Sequence, residues 1–495
     1  MSKVTLIDNT TRASELAIDA RAVNSKEARQ LYQKRVQIYP KLAQGFYRNL
    51  KWAAMIVLLG IYYVTPWLRW DRGDGRVDQA VLVDFEGRRF YFFPIELWPQ
   101  EVYYFTGLLI LASFAIFLSS ALFGRVWCGY ACPQTVWTDL YIYVERAIEG
   151  DRNARMRLDK APWSASKAVK KISKHIVWIL IAAATGGAWV FYFGDAPTLF
   201  RDIFTGHADP VVYLFIGILT FTTYALAGTM REQVCTYMCP WPRIQAAMID
   251  KDALSVTYRG VRGEPRGPHK KGDTWEGRGD CIDCHQCVAV CPQGIDIRDG
   301  DQLECINCAL CIDACDEIMK KVGRPIGLIA YDSYANLDRH EQGKPSGRYK
   351  LIRPRTILYG TLMVLVAAFM IYGLATRSTL DLNVIRDRSP PFVRLADGSI
   401  RNDYALKLIN MTDHPRRVQI ALHGLEGAHL QAPALDAESD VVVQANADSV
   451  TNVRIHVVAP SNVSAGSHNL TFTIRDTENG DVATSASAFL AGSPP

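Results

Sequence analysis

CIDCHQCVAVCPQ, residues 281–293, is answered by CINCALCIDACDE, residues 305–317. Each run spaces its cysteines as C-x2-C-x2-C-x3-C: 281, 284, 287 and 291 in the first, 305, 308, 311 and 315 in the second. Pro292 closes the first run, and Asp316 takes that place in the second. The spacing is the bacterial pattern for a pair of [4Fe–4S] clusters. Thiolates suit it because they are soft, anionic donors for iron. Two residues between cysteines let a tight loop wrap three corners of a cubane, and the fourth cysteine turns away to the other cluster. The expected ligand sets are Cys281, Cys284, Cys287 and Cys315 for one cluster, and Cys305, Cys308, Cys311 and Cys291 for the other. A pair of zinc knuckles is the competing reading, but one zinc needs only four ligands. His285, between two ligands, reads as a surface residue. Two adjacent clusters make a one-electron relay. No G-x-G-x-x-G follows a strand, so the sequence offers no flavin or nicotinamide site, and the unknown electron donor is another molecule.

The other four of the twelve cysteines also form a repeat. CGYACP at 128–133 and CTYMCP at 235–240 both read C-x-Y-x-C-P, 107 residues apart. In a helix, positions i and i+4 share a face. Each motif can therefore aim two sulfurs inward, and two facing motifs pool Cys128, Cys132, Cys235 and Cys239. Four soft sulfurs suit Cu(I), zinc or a further iron–sulfur cluster. Inert packing and a disulfide-forming dithiol are the alternatives, and Met238 reads as packing. No cysteine stands outside these motifs, which suits metal ligation in a reducing compartment better than a disulfide framework.

Around the cysteines lie five uncharged, apolar runs of membrane-spanning length, 52–68, 102–124, 176–194, 210–230 and 356–376. Each is bounded closely by charge. No Asp, Glu, Lys, Arg or His falls inside them, which argues against an ion pump and against transmembrane haem; His175 stands at a rim. The overall charge of +5 is mild and gives no reason to expect nucleic-acid binding. The basic residues cluster instead beside the apolar runs, where membrane lipid lies. Lys34, Arg35, Lys41, Arg48 and Lys51 precede the first run without an acid among them. Arg155, Arg157, Lys160, Lys167, Lys170, Lys171 and Lys174 crowd the loop 125–175. The positive-inside rule then puts the N-terminus and 231–355 in the cytoplasm and everything after 376 outside. The first 51 residues are too polar for a signal peptide.

After 376 the character changes. YALKLIN from Tyr404, RVQIAL from Arg417, VTNVRIHVV from Val450 and HNLTFTI from His468 alternate apolar and polar residues. Glu478-Asn479-Gly480 marks a turn before a last strand. Such strands over about a hundred residues suggest an immunoglobulin-like β-sandwich, here without a disulfide. Its histidines, 414, 423, 429, 456 and 468, show no ligand spacing.

The fold class expected is an α-helical membrane protein with five transmembrane helices, a bacterial 2[4Fe–4S] ferredoxin-type insert and a C-terminal immunoglobulin-like β-sandwich. Its parts are a cytoplasmic N-terminal segment (1–51), a four-helix membrane core (52–250), a cytoplasmic ferredoxin-type domain (251–355), a fifth transmembrane helix (356–376) and a periplasmic immunoglobulin-like domain (377–495).

This assembly resembles the CcoG/FixG/RdxA family of cytochrome c oxidase accessory proteins over nearly its full length. The resemblance rests on CGYACPQTVW at 128–137, CTYMCPWPRIQ at 235–245, both ferredoxin runs, and the tail starting DLNVIRDRSPPFVRL at 381. It implies a multi-pass protein of the bacterial inner membrane that reduces Cu(II) to Cu(I) for assembly of cbb3-type oxidase. It implies assembly factors or a copper carrier as partners, and Cys128, Cys132, Cys235 and Cys239 as the copper-handling or reducing site. The residues alone indicate electron transfer at a membrane; copper enters through the resemblance. Two other functions compete: a quinol-oxidising ferredoxin subunit of an anaerobic respiratory chain, and a non-enzymatic redox sensor or assembly scaffold.

Overall fold

A computed structural model describes residues 18–20, 22–23, 36–73, 76–270, 272–432, 437–438 and 441–492. Lys34 and Arg35, used above for orientation, lie outside the described residues. The chain divides into two compact units, 1–370 and 371–495.

Among the described residues five helical segments are long and apolar enough to cross a membrane: Phe46–Trp67, Pro99–Phe123, Ala165–Val190, Pro210–Met230 and Pro354–Ala375. Two of these helices begin earlier than hydropathy indicates. The first starts at Phe46 and so carries Arg48 and Lys51, both buried. The third starts at Ala165 and carries Lys167, Lys170, Lys171, Lys174 and His175. Local cues explain that start, since the Ser164 side chain accepts from the Lys167 amide at the N-cap. The charges are tolerated because they pair. Arg48 and Lys51 meet Asp139, while Lys171 and Lys174 meet Glu149. His175 Nδ1 lies 2.9 Å from the Tyr224 hydroxyl.

Between the first two spans a three-stranded antiparallel sheet forms, β1 (Val81–Asp84), β2 (Arg89–Phe92) and β3 (Ile95–Leu97). Strands of three or four residues leave no periodicity to detect in the sequence.

The insert is framed by β4 (Leu254–Tyr258) and β5 (Ile329–Ser333), paired antiparallel with Val256 opposite Tyr331. Each cysteine run turns into a helix partway along, Gln286–Val290 within the first and Leu310–Val322 starting within the second. Their lengths differ for a covalent reason. Pro292 lacks an amide hydrogen and ends the first helix. Asp316 continues the second for almost two more turns, and its Oδ1 accepts from the Gly327 amide at 2.8 Å.

The insert is docked on the helices by polar contacts of long sequence separation. Asp313, between Cys311 and Cys315, caps the first span by accepting from the Tyr47 and Arg48 amides at 3.2 and 2.7 Å. Arg125 donates to the carbonyls of Gln302, Leu303 and Cys305. The Lys41 amide donates to the Ala289 carbonyl, 2.8 Å.

The second unit is a two-sheet sandwich. One sheet runs β11-β10-β13-β8-β6, with β7 (Val393–Arg394) beside β8; the other runs β12-β9-β14-β15. The strands read from the sequence are β8 (Ile400–Asn410), β9 (Arg416–His423), β13 (Ser449–Ala459), β14 (Gly466–Asp476) and β15 (Val482–Ala491). Strands β6 (Leu380–Arg386), β10 (His429–Ala432), β11 (Ala437–Glu438) and β12 (Val441–Ala445) are additional. Alternation puts Tyr404, Leu406 and Leu408 of β8 inward against Leu470, Phe472 and Ile474 of β14. The Tyr404 and Phe472 rings meet edge to face at 5.0 Å. The Glu478-Asn479-Gly480 turn is present, with the Asp476 carboxylate accepting from two of its amides.

Candidate functional site

The twelve thiols fall into three groups. Cys281, Cys284, Cys287 and Cys315 line one cavity of the insert with Tyr258, Ile282, Met319 and Leu328. Cys291, Cys305, Cys308 and Cys311 line a second with Val256, Ile295 and Ile306, and Cys287 lies on its wall too. In the membrane-side group, Cys128 lies near enough to Cys132, Cys235 and Cys239 to feel them electrostatically, and Cys235 near enough to feel Cys132 and Cys239.

The loops of the two insert cavities are built alike. Asp283 and His285 in the first run have φ of 54° and 53°, and Asn307 and Ala309 in the second have 51° and 60°. Non-glycine residues seldom adopt this region. Its repetition at matched positions curls each run around its cavity. Amides of Gln293, Gly294 and Ile295 are directed at Cys291, and the Asn307 amide at Cys305.

Burial pushes the Cys291 thiol up to about 11 and the Cys305 thiol up to about 12, and it drives Cys287 and Cys311 well above the ordinary range. Buried thiols become thiolates only if a cation replaces their protons. A single tetrahedral ion at about 2.3 Å per sulfur needs its ligands crowded together. Among the described residues no three His, Cys, Asp or Glu side chains are set to hold one ion, in the insert or at the membrane-side thiols. A cubane spreads four sulfurs over four irons and tolerates wider spacing. The donor set, the curled loops and the apolar walls fit [4Fe–4S] clusters.

Arg298 serves the first cavity, and no motif or spacing in the sequence marks it. Its guanidinium stands 3.9 Å from Cys281 Sγ, and its Nη2 donates to His285 Nδ1 at 3.1 Å and to Asp296 at 2.6 Å. A fixed positive charge there offsets the anionic charge of a thiolate cluster.

The C-x3-C-P motifs sit just past the second and fourth spans. Cys128 lies in the helix Val126–Tyr130, and Cys235 in the wide-turn π segment Val234–Met238. Cys128 is buried, Cys132 and Cys235 are half-buried, and Cys239 and Met238 are exposed. Burial raises Cys128 and Cys235 to about 12, with neighbouring thiols adding to the effect. Cys128 Sγ donates to Gln245 Oε1 at 3.1 Å, and Gln245 Nε2 donates to Ser120 Oγ at 3.2 Å.

This group rests against the second insert cavity. Cys128 packs with Ile306, Cys308 and Leu310, and Cys311 borders the same apolar cluster. The Tyr130 hydroxyl donates to the Cys308 carbonyl, 3.1 Å. A Cβ on Gly129 would stand 2.7 Å from the Ile306 carbonyl oxygen. Beside Cys235 is a polar cavity lined by Lys51, Thr135, Asp139, Arg231 and Glu232, and closed by Pro292, Gln293 and Ile306.

The helix Pro133–Glu149 carries a row of carboxylates away from the first motif. Arg48 forks onto Asp139. Glu145 meets Arg155 at 2.7 Å, Arg231 at 3.0 Å and Lys174 at 3.5 Å. Burial opposes both charges, yet Lys51 and Arg48 hold Asp139, and Arg231 and Arg155 hold Glu145, below the ordinary carboxylate range.

The two motifs are related by the repeat, and the 107-residue offset aligns Gly124 with Arg231. Both have the same unusual backbone, φ 62° and ψ −130° for Gly124, φ 45° and ψ −112° for Arg231. Glycine adopts it freely; arginine is held there by Glu145 and by donation from Nε to the Gly228 carbonyl.

Membrane helices, paired iron–sulfur cavities and a thiol group against one of them define a membrane-bound iron–sulfur redox protein. Family profiles agree: a 4Fe-4S dicluster domain matches residues 230–334, a 4Fe-4S binding domain 105–149, and an IG-like fold at the C-terminal of FixG 370–492. The chain is 50% identical over 481 residues to the nitrogen fixation protein FixG of Rhizobium meliloti, covering 91% of this chain and 92% of that one. It is 51% identical over 435 residues to protein RdxA of Cereibacter sphaeroides, covering 87% and 91%. The ferredoxin-type protein NapH of Haemophilus influenzae is 24% identical over 224 residues, 42% of this chain and 66% of that one. The chain belongs to the FixG/RdxA family.

Proposed function

We propose that this protein passes electrons from its insert to the membrane-side thiols and there reduces Cu(II) to Cu(I) for assembly of a cbb3-type oxidase. Cys281, Cys284, Cys287 and Cys315 ligate one [4Fe–4S] cluster, and Cys305, Cys308, Cys311 and Cys291 the other. Bound clusters supply one-electron storage. Cys128, Cys132, Cys235 and Cys239 receive the copper. Sulfur pairs favour the cuprous product, and the exposed Cys239 is where an ion arrives. Gly129 and Tyr130 hold this group against the second cavity, and Arg125 anchors its loop. The insert lies on the cytoplasmic side of a bacterial inner membrane and the sandwich on the periplasmic side. The partners are assembly factors or a copper carrier.

The observation that carries this reading is the seating of Cys128 and Gly129 on the Ile306–Cys308 loop. Electron transfer needs such proximity, and inert packing cysteines do not need to touch a redox cavity.

The test is anaerobic. The reduced protein is mixed with Cu(II), and loss of the reduced-cluster spectrum is followed beside Cu(I) formation. A variant with Cys128, Cys132, Cys235 and Cys239 all changed to Ser is run in parallel. Matched kinetics in the native protein, and slow kinetics in the variant, support the reductase. Equal behaviour would sink it.

A second reading, quinol oxidation, draws on a cleft of about 340 Å³ beside the second cavity, lined by Arg125, Asp250, Lys251, Asp301, Asn307 and Tyr334. Its volume suits a small redox-active headgroup. Reduction of the clusters by added quinol in the purified protein would favour it.

A further inference from the structure

Gln293 belongs to neither cysteine motif as a ligand. It follows Cys291 and Pro292, and its backbone amide is one of three directed at Cys291. Its side chain is buried, 5% exposed. It lines both the second insert cavity and the polar cavity at Cys235, and its side chain hydrogen-bonds the Cys235 thiol. Pro292 and Ile306 are the other residues shared by the two walls. Ile306 is aliphatic and offers no hydrogen bond, and Pro292 has no side-chain donor or acceptor. Gln293 thus joins a thiol of the insert to a thiol of the membrane core through one short covalent stretch and one hydrogen bond.

The two halves of the repeat meet the second cavity differently. The first half meets it by packing, with Cys128 against Cys308 and glycine at 129. The offset of 107 places Thr236 where the first half has Gly129. A side chain there removes the option of flat backbone contact, and Cys235 is reached by Gln293 instead. Gln245, which accepts from the Cys128 thiol, and Gln293, whose side-chain NH2 donates to Cys235, come from different parts of the chain.

We propose that Gln293 is the positioning residue that couples the second iron–sulfur site to Cys235, holding that thiol in the electron path. The proposal rests on the reductase reading above. One electron crosses from the Cys291 side to copper held at the thiols. The iron–sulfur site is oxidised by one electron, Cu(II) becomes Cu(I), and no bond to Gln293 is made or broken.

Gln293→Leu keeps the bulk and removes the amide. Its iron and acid-labile sulfide should match the native protein. Its reoxidation by Cu(II) should slow about tenfold, the factor a single net hydrogen bond carries. In the metal-free protein, maleimide labelling of Cys235 should change by a similar factor, while Cys239 labels as before. That readout does not depend on turnover. Gln293→Asn, whose shorter amide stops short of Cys235, serves if the Leu variant loses iron and should be slowed equally. A fully loaded Leu variant with native reoxidation and native Cys235 labelling would overturn the proposal. Loss of iron from both variants would overturn it too, by making Gln293 a scaffold residue. The four-serine variant separates the two ideas. If it is slow while Gln293→Leu is not, only the role of Gln293 fails. If it is as fast as the native protein, the reductase reading itself fails.

Discussion

Gly129 lies so close to Ile306 that a single added carbon would stand 2.7 Å from the Ile306 carbonyl oxygen. A backbone oxygen cannot swing aside as a long side chain can. Gly129→Val should therefore lift the first C-x3-C-P motif from the insert. The expected cost is about 1–3 kcal/mol of stability, with slower cluster reoxidation by Cu(II) and full iron content. Thermal melting in detergent and anaerobic stopped-flow check the two halves. Native rates in a fully loaded variant would count against the contact as an electron path.

Cys315 belongs to the second run but lines the first cavity, and Cys291 does the reverse. Cys315→Ala and Cys291→Ala should each remove about half of the bound iron. The electron paramagnetic resonance signals that survive should differ. The signal lost in Cys315→Ala should also be the one lost in Cys281→Ala. If it instead matches the loss in Cys305→Ala, the ligand sets do not cross.

Arg231 is a strained non-glycine residue tied to a buried carboxylate. Arg231→Gly relieves about 1–3 kcal/mol of backbone strain. It also strips one cation from Glu145, and breaking a buried pair costs about 3–5 kcal/mol. Arg155 and Lys174 remain as partners, so the expected net loss is about 2 kcal/mol. Gly124→Ala has no such offset, since its Cβ would press on the Leu254 carbonyl at 2.6 Å. Melting temperatures should place both variants below the native protein.

Asp139 and Glu145 are both held below the ordinary carboxylate range. Their contribution to stability is complete above about pH 5, clear of the ordinary Asp and Glu values, and is lost progressively as pH falls from there through the lowered values. Unfolding followed from pH 8 downward should show no loss from this source until about pH 5. Asp139→Asn should flatten part of that acid limb. An early decline near pH 6 that Asp139→Asn abolishes would contradict the assignment.

Cys128 and Cys235 are raised by burial to about 12, so a cuprous ion bound there must displace protons. Cu(I) affinity of the cluster-free protein should rise with pH, by up to about tenfold per unit for each thiol deprotonated. Competition with a chromophoric Cu(I) chelator between pH 6 and 8 measures it. A flat profile would mean that copper binds elsewhere.

Much of this was legible in the chain itself. The spacing of the eight insert cysteines, the absence of charge from five apolar runs and the alternation in β8, β9, β13 and β14 are local patterns. Each is set by a physical period: the cubane loop, the thickness of a bilayer, the pleat of a strand. Helix starts at Phe46 and Ala165 were not legible, because Arg48, Lys51, Lys171 and Lys174 look like flanking charge until Asp139 and Glu149 are seen beside them.

The sequence by itself determined the chemistry available: two matched iron-binding runs, a duplicated dithiol, membrane helices and a β-sandwich. Tertiary structure alone decided which cavity the dithiols meet. That choice depends on Gly129 fitting beneath Ile306, on Asp313 capping a helix 265 residues away, and on Gln293 reaching Cys235. Short-range spacing encodes what a group can bind. Contacts between residues far apart in the chain leave no period in a single sequence, and they appear only once the chain has closed on itself.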